Sequence, residues 1–226
     1  MANHLDLEEQ EQIDQLKHFW NTWGTLISVV VIVVCGAVAA WNGYKYWQNR
    51  QAVQAAVLAE AVASAEQAGD KGRVEQAWGD LSSKYGSTVQ AAQSGLSVAK
   101  FWSDSGSPDA AKAALMWVAS KSSDDGMKAI AKLRLSSLLM EQKSYDEALS
   151  QLGGGFPAEF EAVVADRKGD LLTLKGSNQE AIAEYQRAYK AFDPRIDYRR
   201  LVEIKLNALG AQAQVVAATE QTKEAK

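Results

Sequence analysis

One stretch of the chain breaks an otherwise mixed pattern of apolar and polar positions. Residues 24–41, GTLISVVVIVVCGAVAAW, carry no charge. About 17 uncharged residues at 1.5 Å rise reach roughly 25 Å, near the lower limit for crossing hydrocarbon. Trp20 and Trp23 precede the run and Trp41, Tyr44, Tyr46 and Trp47 follow it. Amphipathic rings on both sides match two membrane interfaces, which a buried core helix does not need. A cleaved secretion signal requires a basic leader. Here Asp6, Glu8, Glu9, Glu11 and Asp14 stand against Lys17 alone. The run is therefore read as a retained transmembrane helix over 24–43, behind an acidic segment at 1–23.

Beyond the span the pattern changes to strong helix formers, with no long alternating β-branched segments. Turn signals at 68–72, 84–87, 103–109, 122–126, 141–146, 153–157, 174–178 and 192–194 separate segments of ordinary helix length. The expectation is all-α: a single N-terminal transmembrane helix followed by a helical-repeat domain over 44–210. Residues 211–226 lack large apolar anchors and are expected to be a flexible tail.

The helical segments repeat. Leu135, Leu139 and Ala148 in one unit are followed by Gly169, Leu172, Ala181, Tyr185, Ala188 and Pro194 in the next. Ala148 and Ala181 lie 33 residues apart, close to the 34-residue tetratricopeptide period. Small residues at Gly169 and Ala181 let paired antiparallel helices approach, and Pro194 ends the second helix. Tyr185 and Ala188 are expected to cover the next interface. A weaker unit places Ala99 and Ala111 at the small positions, with Leu115 one turn on. Residues 51–84 form a further helix pair, read as an N-terminal cap.

Composition narrows the function. A net charge of −4 with no basic run after the span gives no electrostatic footprint for nucleic acid. The one cysteine, Cys35, lies inside the span and is read as an apolar filler. His4 and His18 both precede the span, leaving the helical domain without a histidine for a triad. Neither has a partner at metal-ligand spacing. The triplet Gly153-Gly154-Gly155 is followed by Phe156-Pro157 and lacks the Lys-Ser/Thr of a phosphate loop. Asp124/Asp125 fall in a turn and Glu180/Glu184 on a solvated helix face. No catalytic residue, metal, cofactor or small-molecule substrate is expected.

The acidic leader, the early span, KYW at 45–47, LRL at 133–135, VADRKGDLLTLKGSNQEA at 164–181 and KLNAL at 205–209 together resemble the bacterial YfgM family. The resemblance covers nearly the whole chain. It implies an inner-membrane protein with a cytoplasmic N-terminus and a periplasmic tetratricopeptide-like domain. It further implies an ancillary subunit of the Sec translocon, with SecY and the chaperone PpiD as partners and newly exported proteins as clients. Lys17 before the span against Lys45 and Arg50 after it opposes that orientation by one residue. The repeats by themselves fit equally an anchored scaffold for another envelope assembly.

Three surfaces follow from spacing. Ile13, Leu16, Trp20 and Trp23 fit an amphipathic helix lying against the headgroups, or one simply continuous with the span. Within the span, Gly36 and Ala40 make a small-xxx-small pair suited to another transmembrane helix. In the repeats, alignment of the small positions puts Lys100, Ser137, Met140, Asp166, Asp170 and Thr173 on the concave face. An open groove there would bind an extended segment, unless the C-terminal helix around 201–209 covers it.

Overall fold

A computed structural model describes the backbone of residues 7–213 and the side chains of residues 11–213. The described residues are helical, without strands. Two compact units are present, residues 1–51 and 52–226.

The first helix, α1, runs from Leu7 to Gln67 and contributes to both units. In the first unit it is one unbroken helix, so of the two readings of the leader the structure has the continuous one. Val29 to Val34, Trp41, Tyr44, Tyr46 and Trp47 are all exposed. By length and composition α1 is long and apolar enough to cross a membrane. At its aromatic end, Lys45 lies 5.5 Å from the centre of the Trp41 ring and Arg50 5.3 Å from that of Tyr46. Cations held over rings one turn away keep their charge beside the aromatic band.

The second unit continues with α2 (Lys71–Lys84), α3 (Val89–Asp104), α4 (Pro108–Lys121), α5 (Asp125–Glu141), α6 (Tyr145–Gln151), α7 (Glu161–Leu174), α8 (Asn178–Ala191) and α9 (Tyr198–Ala208). A short 3₁₀ turn, Ala158–Phe160, precedes α7. Asp70, Thr88 and Asp124 cap α2, α3 and α5 by accepting from the backbone N–H three residues on. Pro108 opens α4 at a position where its missing N–H is not needed.

One turn recurs through the unit. Residues Gly69, Gly106, Lys143, Gly176 and Gly210 have positive φ, at spacings near the repeat length. After each, the next N–H closes on a carbonyl five residues back, as Ser107 on Trp102, Ser144 on Leu139, Ser177 on Leu172 and Ala211 on Leu206. This C-terminal cap reverses the chain. It produces the pairs α3/α4, α5/α6 and α7/α8, after the end of α1 with α2. Because α9 ends in the same turn, it stands as the first helix of a further unit.

The small positions meet their stated purpose. Ala99, Ala111, Ala148, Ala181 and Ala188 are buried. A Cβ on Gly169 would lie 2.5 Å from the Tyr185 ring, so only glycine lets α8 approach α7. Tyr185 was expected over the next interface, and it packs first on Gly169 of its own pair because no side chain intervenes there. Gly95 plays a similar part against Val118 and Trp78, with 2.5 and 2.8 Å to an added Cβ. Trp78 meets Trp117 edge to face at 4.9 Å in the same layer.

Two apolar clusters share the unit. The larger runs from Ala55 to Leu171, and the smaller joins Ala162 and Ala165 of α7 to α8 and to Val202 and Leu206 of α9. Ala211 and Ala213 pack on the smaller cluster. The remainder of the expected tail, from residue 214, lies outside the described residues.

Candidate functional site

Successive inner helices α3, α5 and α7 are laced by arginines. Arg134 of α5 donates to the Leu96 carbonyl of α3 at 3.1 Å, and Arg167 of α7 donates to Ser137 Oγ of α5 at 2.7 Å. These arginines sit 33 residues apart, one repeat. Their spacing was visible in the sequence and was overlooked there.

Between α3 and α5 lies a groove of about 360 Å3, floored by Ala99, Ala111 and Leu115 and rimmed by Lys100, Arg134 and Glu141. Ser137 also lines it. Lys100 is exposed and donates to Asp104 at 2.5 Å, a one-turn surface pair of little energetic weight. An apolar floor with mixed charges on the rim offers contact area and hydrogen bonds. It has no arrangement of nucleophile and base. Among the described residues no group of three or more His, Cys, Asp or Glu side chains comes together to hold a metal.

The other predicted groove residues fall elsewhere. Met140 is half-buried and packs against the larger cluster. Asp166, Asp170 and Thr173 gather at the α7 end, where α9 lies across them. Asp166 was expected on an exposed face and is only 2% exposed. The physical reason is α9. Lys205 donates to both Asp166 oxygens at 2.7 and 2.9 Å and pairs with Asp170 at 2.7 Å. Tyr198 donates to Asp166 at 2.8 Å, and Tyr185 donates to Asp170 at 2.8 Å. Thr173 donates to the Gly169 carbonyl at 2.9 Å and lies 3.3 Å from the Tyr185 hydroxyl. At this end, then, the inner face is covered by the chain's own C-terminal helix.

The electrostatics of this cluster are self-consistent. Burial disfavours the Lys205 ammonium, but its hydrogen bonds to Asp166 and Asp170 outweigh burial and hold its pKa above the ordinary lysine value. Burial raises the Tyr198 phenol, and its bond to Asp166 raises it further. Tyr185 is raised in the same direction, mainly by burial. The tyrosines remain neutral donors and the carboxylates acceptors. Each buried carboxylate is thus satisfied, as burial demands.

A half-buried carboxylate, Glu66 near the end of α1, links that helix to α3. Glu66 accepts from Ser97 at 2.6 Å. Burial raises its pKa, and the serine bond offsets part of that rise.

In the first unit Gly36 and Ala40 are exposed on α1. A Cβ on Gly36 would meet nothing within 4 Å, and the same holds for Gly43 one turn after Ala39. Such a flat strip permits close approach of a second helix.

A family model described as a tetratricopeptide repeat-like domain matches residues 17–211. A protein of Neisseria gonorrhoeae named ancillary SecYEG translocon subunit is 33% identical over 213 residues, covering 92% of this chain and all of the relative. The chain belongs to the YfgM family. Proteins with the same name from Escherichia coli and Haemophilus influenzae are 27% and 30% identical, over 89% and 90% of this chain and 96% and 98% of theirs. The family match includes α1 from Lys17 onward and reaches past the turn that closes α9. It is a family of ancillary subunits with a tetratricopeptide-like fold and not a family of enzymes.

The sequence reading missed Arg134, Arg167, Tyr198 and Lys205. The first two were marked by their repeat spacing. Lys205 reaches a carboxylate 39 residues earlier, and no local pattern announces that pair.

Proposed function

We propose that this chain is a non-enzymatic ancillary subunit of the Sec translocon, held in the bacterial inner membrane by the apolar segment 24–43. Its N-terminus lies in the cytoplasm and its helical domain in the periplasm. The domain binds the chaperone PpiD and assists newly exported proteins. The observation that carries this reading is the near full-length similarity to proteins named ancillary SecYEG translocon subunit. It is supported by an apolar helix of sufficient length to anchor the chain.

The mechanism needs no bond chemistry. Confinement to the membrane raises the effective concentration of the helical domain near the channel exit, so a weak binding surface suffices. The open groove beside Lys100 and Ser137 provides surface for an extended segment. Met140, Thr173 and Asp170 contribute by shaping the inner helices. Asp166 acts through α9, whose position it holds.

Affinity purification after in vivo crosslinking of the full chain tests the assignment. Enrichment of SecY together with PpiD, at least tenfold over an unrelated single-span protein, is the expected outcome. Enrichment of a different envelope assembly, with neither SecY nor PpiD above background, would overturn it.

A further inference from the structure

The two ends of the apolar span carry opposite charge. Between Asp14 and Glu60 the chain has no Asp or Glu, yet Lys45 and Arg50 follow the span directly. On the leader side Lys17 is paired with Asp14 at 3.4 Å, and Glu11 comes three residues before that aspartate. Every residue from 41 to 50 is exposed. Among the described residues neither Lys45 nor Arg50 is paired with a carboxylate; each lies over a ring instead.

The helix sets the depth of these charges. Residues 24–43 rise about 30 Å, the full thickness of hydrocarbon, so the next turn enters a headgroup layer of roughly 5–7 Å. Side chains on a helix lean toward its N-terminus, which here is back toward the span. Lys45 accordingly lies 5.5 Å from the Trp41 ring centre and Arg50 5.3 Å from that of Tyr46. Both charges are drawn to the level of residues 41–46, about 7 Å of rise at the hydrocarbon edge. The indole N–H groups of Trp41 and Trp47 and the hydroxyl of Tyr46 are donors in the same layer. Tyr44 accepts from Gln48 at 3.4 Å and keeps its own O–H to donate.

We propose that this collar selects phospholipids with a net negative headgroup around one end of the span. Lys45 and Arg50 point about 140° apart around the helix, so they make two headgroup contacts and not one clamp. At each, the phosphate diester accepts from the cation and from a ring N–H or O–H beside it. A zwitterionic headgroup brings an ammonium of its own, and no carboxylate of the collar receives it. A glycerol headgroup brings only hydroxyls. Charge therefore chooses the anionic lipid. Depth chooses lipid over protein, because lipid surrounds a single span on every side that no other helix takes. The acidic leader gives the opposite end no such preference. The inference rests on the span being an anchor, and it is independent of the translocon assignment and of which leaflet the collar faces.

The test uses the full chain in mild detergent with equimolar phosphatidylglycerol and phosphatidylethanolamine of matched acyl chains, weighed intact by native mass spectrometry. Phosphatidylglycerol should be retained about fivefold over phosphatidylethanolamine, the gain that a single basic residue brings near an anionic surface. The double variant Lys45→Gln, Arg50→Gln should bring the ratio close to one. The exchange Lys45→Arg, Arg50→Lys should keep it, and so should Lys17→Gln at the other interface. All three positions are exposed, so helicity by circular dichroism should match the parent.

Equal retention of the two lipids by the parent would overturn the proposal and leave the cations to a carboxylate of another protein. A preference that survives the double variant, or that is lost in Lys17→Gln, would place the selection elsewhere on α1 and also overturn it. Release of the lipid by inorganic phosphate, but not by chloride of the same ionic strength, would make free phosphate the ligand and reject headgroup selection. Retention of neither lipid would remove the anchor together with the proposal, whereas the other outcomes leave the anchor standing.

Discussion

Replacing Asp166 by lysine is expected to destabilise the helical domain by about 3–5 kcal/mol, the usual cost of leaving a buried charge without its partner. The substitution would place a second ammonium against Lys205, inside a cluster where the aspartate side chain is 3% exposed. Tyr198 would lose its acceptor in the same step. The C-terminal helix should loosen first, because Lys205 and Tyr198 are its polar attachments to α7. Hydrogen exchange of the full chain in detergent should show α9 amides exposed before those of α3 to α5. Asp104→Lys changes an exposed carboxylate paired only with Lys100, and its melting temperature should match the parent. Equal melting of the two variants would show that the buried cluster contributes nothing to the fold.

The second large effect belongs to the contact between α7 and α8. Ala181 is fully buried, on the turn of α8 that faces α7. Trp at that position overpacks the pair, for a cost of about 1–3 kcal/mol or more, because neighbouring rings have no free volume. Gly169 already allows α8 so close that an added Cβ would strike Tyr185. Backbone movement is therefore the remaining response, and it would pull Tyr185 away from Asp170. Gln179→Trp, at an exposed position two residues earlier, should leave stability nearly unchanged. Thermal unfolding followed by circular dichroism compares the two. Identical midpoints would contradict the helix register.

Much of this architecture was legible because it rests on local chemistry repeated along the chain. Ala111, Ala148 and Ala181 each follow a polar turn by the same interval, and each is buried against its partner helix. The aromatic residues around the apolar run marked the ends of the expected span without reference to structure. Position-by-position exposure was less legible. A carboxylate on a helix reads as solvated, and Asp166 is buried only because Lys205 and Tyr198 arrive from a helix more than 30 residues later. Lys143 is similarly hidden from sequence rules: it takes a left-handed conformation that its counterparts fill with glycine. The groove was placed across three inner helices. The structure leaves it open between α3 and α5 and covers it at α7 with α9.

In the proposed function the span sets position and the helical domain makes the partner contact. The most direct measurement compares copurification of SecY and PpiD with the parent chain and with the double variant Gly36→Leu, Ala40→Leu. Both positions are exposed on α1, and neither belongs to the apolar clusters of the helical domain. Bulky residues should prevent close helix approach there and lower SecY recovery several-fold, while PpiD recovery by the purified full chain stays at the parent level. Loss of PpiD together with SecY, and recovery of PpiD by the span without the helical domain, would contradict the account and make the membrane helix the recognition element.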